Sequence, residues 1–336
     1  MTNEELNIIL KKLEEFTYIL IKQIKESKEV FITTHKNPDF DAISSALAIA
    51  LIAKQLKKDA YIIIDNHNFL DSKVKAIIDA NLNEFSFITT DIYNNIKSEN
   101  DLLIITDTNK KSMVSCKDYL NNFKKIIIID HHLENQDSIT ANYKFVNPNL
   151  SSTAEIVTTI LNYLKIEYNK DIANYLLSGI VLDNLGNSNK ASRNTFFIIS
   201  KLMNEGADLN YVNTLFEENF ENDRKVHDLI DVTEFTDTSA ICCGKKEIIY
   251  TKEELAKAAN YLTKFKHDFN CAIGYVDKDH IGLSSRSNGK INASKIMELF
   301  GGGGDLNRAA AQIKENDIKK VKEDLVKVLK LQIKTN

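Results

Sequence analysis

Two runs of isoleucine that each stop at an aspartate constrain this chain more than any other feature. Ile104-Ile105-Thr106-Asp107 closes an apolar run that starts at Leu102, and Ile127-Ile128-Ile129-Asp130-His131-His132 closes one that starts just after Lys125. Runs that stay apolar without alternating fit strands covered on both faces. Residues 30–34 and 60–64 make two more, and helical patterning, as at 71–80, lies between the runs. Strand alternating with helix predicts an α/β chain with a mostly parallel sheet and helices on both faces.

A carboxylate at the end of a buried strand costs several kcal/mol unless a cation or hydrogen bonds compensate it. One such Asp is more often a helix cap than a ligand. Here a third strand end adds Thr34-His35-Lys36-Asn37-Pro38-Asp39-Phe40-Asp41. Asn37-Pro38 stops the ladder, and the periodic apolar segment begins after Asp41, so His35, Asp39 and Asp41 fall on a strand-to-helix loop. In a parallel sheet, loops at the strand C-termini face one crevice, where ligands bind. Asp39, Asp41, Asp107 and Asp130 would then converge, and their repulsion calls for a counter-charge. Oxygen mixed with imidazole suits manganese or magnesium better than a thiolate-loving ion.

At 336 residues the chain is long enough for about two domains. Its formal net charge of −4 argues against a broad grip on long nucleic acid. Cys116, Cys242, Cys243 and Cys271 show no C-x-x-C spacing, which predicts reduced thiols and a cytoplasmic protein. The N-terminus opens on the capping-box pattern Thr2-Asn3-Glu4-Glu5, followed by Leu6, Ile9, Leu10, Leu13, Phe16 and Leu20 at helical spacing. That is an amphipathic helix, not a signal peptide, and no stretch reaches about 18 uninterrupted apolar residues, so no membrane association is expected.

Further on, Ser151-Ser152-Thr153-Ala154-Glu155 starts a helix, and Ser152 reads equally as a phosphate-binding hydroxyl or a simple N-cap. Asp183 ends another apolar stretch, 179–183. Residues 1–190 form the first expected domain, 191–237 a helical connection, and 238–336 a second, smaller α/β domain with a mixed sheet. Its expected strands lie at 240–243, 248–250, 271–276 and 281–285, with helices at 253–264 and 293–299. Between the second of these helices and the charged helix at 317–331 stands Gly301-Gly302-Gly303-Gly304-Asp305. Glycines cost roughly 1 kcal/mol each inside a helix, so this run is a loop whose N–H groups can wrap an anion. Arg286, at the end of the preceding strand, is a natural phosphate partner.

Taken together, these segments make the chain resemble the DHH family of phosphoesterases over nearly its whole length, the second domain resembling the DHH-associated substrate domain. The resemblance implies two manganese ions, with magnesium as the other candidate. His35, Asp39 and Asp107 would hold one, and Asp41, Asp107, His131 and Asp183 the other, with Asp107 bridging. With His131 on metal, His132 is the candidate for contacting the scissile phosphate and protonating the leaving oxygen, and Asp130 for orienting the pair. Ser152, Arg286, Gly302, Gly303, Gly304 and Asp305 are the candidate substrate contacts.

Within the family the wording is most similar to the cyclic-di-AMP phosphodiesterase branch, in Ser112-Met113-Val114, Ser151-Ser152-Thr153-Ala154-Glu155 and Ser285-Arg286-Ser287. That branch implies cyclic di-AMP or its linear product pApA as substrate. The sister branch trims very short RNAs and removes the 3′ phosphate of pAp. A third reading, a nucleotide-binding regulator that has lost catalysis, draws on Asp305, which stands where the family usually has His. The expected partner is a small nucleotide or very short oligonucleotide, with a homodimer as a compatible assembly.

Overall fold

Six parallel strands form the centre of the first unit of the computed structural model, in the order β3-β2-β1-β4-β5-β6. They are β1 (Val30–Thr33), β2 (Ala60–Ile63), β3 (Ser86–Ile88), β4 (Leu102–Thr106), β5 (Lys125–Asp130) and β6 (Tyr143–Val146). The structure describes residues 1–64, 70–184, 191–217, 220–304 and 306–335, and it divides into the units Met1–Phe216 and Glu217–Asn336. The parallel α/β expectation therefore holds. β3 and β6 extend the sheet beyond the four expected runs, one on each edge.

The central strands are buried on both faces, and their side chains alternate between two cores. Ile32, Ile104, Ile127 and Ile129 pack in one, while Phe31, Leu103, Ile105 and Ile128 pack in the other. Helices α1 (Asn3–Glu26), α2 (Phe40–Gln55), α3 (Ser72–Asn81), α5 (Thr153–Leu164) and α6 (Lys170–Asn184) contribute to the first core, and α4 (Thr90–Ile96) and the 3₁₀ turn Lys117–Asn122 to the second. The strand order reverses between β1 and β4, so the loops leaving these neighbours diverge and open a crevice at the carboxyl end of the sheet. His35, Asp39 and Asp41 follow β1, and Asp107 follows β4.

The stretch 191–237, read as a connection, is shared between the units. Helices α7 (Arg193–Asn204) and α8 (Leu209–Phe216) bury Ile198, Leu202 and Val212 in the first core. Helix α9 (Phe220–Ile230) buries Val226 and Leu229 in the second unit.

That unit is built on a six-stranded mixed sheet ordered β11-β12-β10-β9-β8-β7. Its strands are β7 (Glu234–Phe235), β8 (Ser239–Cys243), β9 (Phe269–Tyr275), β10 (His280–Ser287), β11 (Gly303–Gly304) and β12 (Arg308–Lys314), and only β8 and β9 pair in parallel. Helices α10 (Lys252–Leu262), α11 (Ala293–Glu298) and α12 (Ile318–Thr335) complete it. The expected strand at 248–250 reduces to a single bridge between Ile249 and Tyr275. The glycine run is less free than a loop, because Gly303 and Gly304 pair with Ala310 and Ala309 of β12. A Cβ on Gly302 would fall 2.1 Å from the Ala310 carbonyl oxygen, so that close approach requires glycine.

Candidate metal centre

Asp107 sits where β4 ends, at a left-handed φ of 60° that turns its carboxylate into the crevice. One oxygen, Oδ2, lies 3.3 Å from His35 Nε2, and the other, Oδ1, lies 3.6 Å from His131 Nε2. Two groups of possible ligand atoms meet at this residue: His35 with Asp39 and Asp107, and Asp41 with His131 and Asp183. A third group, Asp107 with His131 and His132, overlaps both. All six residues expected to hold metal are therefore brought together.

Local chemistry fixes each ligand. Asp39 is the N-cap of α2, its Oδ1 accepting from the Ala42 N–H at 3.0 Å. Asp41, in the first turn, is buried and aimed at α5, where Thr153 and Ala154 donate their N–H groups to its two oxygens at 2.8 and 2.6 Å. Ser152 is fully buried and caps the same helix by accepting from Glu155 N–H. The N-terminus of α5 thus already binds a carboxylate of its own chain, and Ser152 is an N-cap, not an exposed phosphate contact. Glu155, fully buried, accepts from Ser151, Asn194 and Thr195 and ties this helix start to α7.

Asp130 plays a different part from the other acids. Its Oδ1 accepts from the backbone N–H of His131 and His132 and from His132 Nδ1 at 2.8 Å, and its Oδ2 accepts from Asn109 Nδ2 at 2.7 Å. With Nδ1–H committed to a carboxylate, the half-exposed His132 presents Nε2 outward. Thr153 Oγ1 donates to Asp107 Oδ1 at 2.9 Å.

The electrostatics fit a cation. Burial raises the Asp41 carboxyl well above the ordinary range, and the charges of Asp107, Asp183 and Asp39 add to it. Burial alone would lower the His35 imidazole, but its bonds to Asp107 and Asp39 outweigh it and push the ring up to about 11. Burial raises Asp39 less than its bond to His35 and that ring's charge lower it, so its carboxyl lies below the ordinary range. Burial also works against charge on His132, yet the bond to Asp130 and the nearby acids raise it. Both nitrogens of His131 and Oδ2 of Asp183 are buried without a hydrogen-bond partner among the described residues. Such orphaned donor atoms amid crowded acids are what a bound divalent cation would satisfy.

In the second unit, a cavity of about 650 Å³ is lined by Arg286, Gly301 to Gly304 and Arg308 among others, so Arg286 and the glycines meet as expected. Asp305 lies outside the described residues. Sequence reasoning missed Arg308 and Asn109, which carry no motif, and, although it quoted Thr153 within 151–155, it missed that residue's bond to Asp107; only spatial neighbours reveal these roles. It also missed Gly179, whose Cβ would fall 2.9 Å from the Asp41 Cα.

Comparison with known proteins follows the same division. The family model for the DHH family, N-terminal domain, matches residues 29–180, and the DHHA1 domain model matches residues 239–335. The chain is 32% identical over 309 residues to the cyclic-di-AMP phosphodiesterase GdpP of Bacillus subtilis, covering 88% of this chain and 47% of that protein. It is 29% identical over 316 residues to the cyclic-di-AMP phosphodiesterase PdeA of Listeria monocytogenes, covering 91% and 48%. The chain thus spans about half the length of these relatives. An exopolyphosphatase-related protein from Bacteroides fragilis shares the fold, with a TM-score of 0.77 at 22% identity over 96% of this chain and 95% of that one. RecJ from Thermus thermophilus, solved with Mn²⁺, gives 0.52 at 12% identity over 93% of this chain and 54% of that one.

Proposed function

This chain belongs to the DHH family, and on that premise we propose that it is a manganese-dependent phosphoesterase hydrolysing cyclic di-AMP or its linear product pApA. The observation that carries the reading is Asp107, which turns one carboxylate oxygen toward each of two histidine–acid groups. A carboxylate so placed is suited to bridging two cations. His35, Asp39 and Asp107 would hold one, and Asp41, Asp107, His131 and Asp183 the other. Carboxylates mixed with imidazoles favour manganese or magnesium, and the manganese in a distant fold relative agrees with that choice. The two cyclic-di-AMP phosphodiesterases named above support the substrate.

When bound, the cations would neutralise the charge developing at phosphorus and acidify the attacking water. The chain supplies the rest. Asp130 holds the His132 ring through Nδ1, so Nε2 can carry a proton to the leaving oxygen. Asn109 and two backbone N–H groups keep Asp130 from rotating. Arg286 and the run Gly302-Gly303-Gly304 are the proposed nucleotide contacts of the second unit. No helix among the described residues is long and apolar enough to cross a membrane. The free cysteines suit the proposed cytoplasmic setting.

Product analysis with manganese tests this, offering cyclic di-AMP, pApA and pAp side by side. Turnover of the first two ahead of pAp is expected, and Asp107→Asn should abolish it. Asn tolerates the left-handed backbone at this position, so that variant removes the bridging charge without adding strain. Hydrolysis of pAp alone would replace this reading with that of a pAp phosphatase.

A further inference from the structure

Glu155 lies in the first turn of α5 and is fully buried, and the four donors that serve its carboxylate are all neutral. Oε2 accepts from the Ser151 N–H at 3.0 Å, from Ser151 Oγ at 2.7 Å and from Thr195 Oγ1 at 2.9 Å, and Oε1 accepts from Asn194 Nδ2 at 2.7 Å. Ser151 precedes α5, and Asn194 and Thr195 open α7, so one side chain ties two helix starts together. Among the described residues it bonds to none of the six expected metal ligands. The turn it belongs to does. Thr153 and Ala154 give their N–H groups to the two oxygens of Asp41 at 2.8 and 2.6 Å, and Thr153 Oγ1 donates to Asp107 Oδ1 at 2.9 Å. Helix α6 meets the same turn, since a Cβ on Gly179, one turn before Asp183, would fall 3.0 Å from the Ala154 Cβ.

We propose that Glu155 is a positioning residue of the metal centre: by tying the first turn of α5 to α7 it holds the donors that fix Asp41 and the bridging Asp107 in place to receive manganese. The inference rests on the metal-centre part of the proposed function and adds to it a side chain outside the ligand set. A helix start that needed only a cap has one in Ser152, which accepts from the Glu155 N–H at 3.0 Å, and a buried carboxylate is costly to desolvate. What the carboxylate adds is immobility. The donors to Asp41 and Asp107 stand on the first two residues of α5, where a helix frays first, and a tie to a second helix opposes that fraying. Without the Glu155 carboxylate four buried donors lose their acceptor, and the turn can relieve them only by moving. Asp41 and Asp107 would then lose the groups that aim their oxygens. Partners of this kind around a metal ligand are typically worth about 10- to 100-fold in metal affinity.

The test is calorimetric titration of manganese into the full chain, well below the melting temperature of every variant, with a thermal melt of each in EDTA beside it. Glu155→Met keeps the length of the side chain, removes both acceptors and should weaken manganese binding at least tenfold. Glu155→Gln keeps one oxygen for Ser151 and Thr195 and should recover most of that loss. Thr195→Val removes a single donor on α7, leaves α5 and the ligands as they are, and should cost roughly threefold, which keeps the test open where Glu155→Met does not fold. Leu20→Ala, a truncation on α1 in the same core, controls for lost stability: it should lower the melting temperature and leave manganese affinity within about twofold of the parent. Affinity in Glu155→Met and Thr195→Val no further from the parent than in Leu20→Ala would overturn the proposal and leave the metal-centre reading standing. Equal losses in Glu155→Gln and Glu155→Met would make the charge the cause in place of the bonds, and would overturn it too. A parent chain that binds no manganese would overturn both readings.

Discussion

His131 Nε2 and Asp183 Oδ2 lie 2.9 Å apart and both are buried, yet they form no hydrogen bond with each other or with any described residue. Two ligand-competent atoms held this close, with no hydrogen bond to satisfy either, would both be served by one cation between their groups. Manganese should therefore stabilise the protein markedly. At a free concentration a hundred times its dissociation constant, one ion adds about 2.7 kcal/mol, a rise in Tm of roughly 5 to 10 °C for a unit of this size. Differential scanning calorimetry with EDTA and with Mn²⁺ measures it. His131→Ala should remove most of the gain, and an equal gain in that variant would exclude His131 as a ligand.

Metal uptake should release protons. In the cation-free protein the His35 ring is pushed up to about 11, so near neutral pH it holds a proton that must leave before Nε2 can donate to a metal. Affinity should rise with pH by about tenfold per unit, flattening above about 11, because only below the raised pKa is there a proton to displace. The same shift means that His35 contributes stability to the cation-free protein below its ordinary pKa of 6.5 and loses it as pH climbs through about 11. The thermal gain from manganese should thus grow with pH. Calorimetric titration in two buffers of different ionisation heat counts the protons, and about one per site-filling event is expected at pH 7.5.

His132→Gln separates proton transfer from metal binding. The glutamine keeps a polar side chain beside Asp130 but cannot deliver a proton from the position of Nε2. Asp130 retains its bonds from Asn109 and from two backbone N–H groups. The expected outcome is a fall in kcat of about 10²- to 10⁴-fold with manganese affinity nearly unchanged. A parallel loss of manganese would make His132 a ligand, as its place beside Asp107 and His131 allows.

How much of this was legible in sequence varies with burial. Asp107 and Asp130 announced themselves because the central strands are apolar on both faces, so a charge at their ends stands out. β3 and β6 did not, because edge strands such as Ser86–Ile88 and Tyr143–Val146 are partly exposed and carry no continuous apolar run. β12 was hidden by three alanines, which are poor strand formers yet keep the sheet face beside the glycines flat. The sequence placed Ser152 at a helix start but could not say that Asp41 reaches that helix from more than a hundred residues away. Arg308 has meaning only through its register with Arg286. Residues whose role depends on a partner distant in sequence leave no local pattern.

Gly179 offers the sharpest test of how the fold holds the metal centre. It lies inside α6, where a glycine ordinarily costs about 1 kcal/mol relative to alanine, so Gly179→Ala should stabilise the helix on propensity alone. The packing opposes this. A Cβ there would fall 2.9 Å from the Asp41 Cα and from Ser44 Oγ, and 3.0 Å from the Ala154 Cβ. Two of these neighbours, a backbone atom of α2 and a methyl group on α5, cannot rotate away, so helices must separate at a cost of about 1 to 3 kcal/mol. Asp183 stands one turn further along the same face of α6, and Asp41 is the residue being displaced, so the separation pulls two ligands apart. Gly179→Ala should therefore lower Tm by several degrees in EDTA and weaken manganese binding at least tenfold, with Gly179→Ser no milder. A variant as stable as the parent with undiminished metal affinity would mean that the approach of α6 to Asp41 is looser than the structure has it, and that Asp183 reaches the centre independently of this contact.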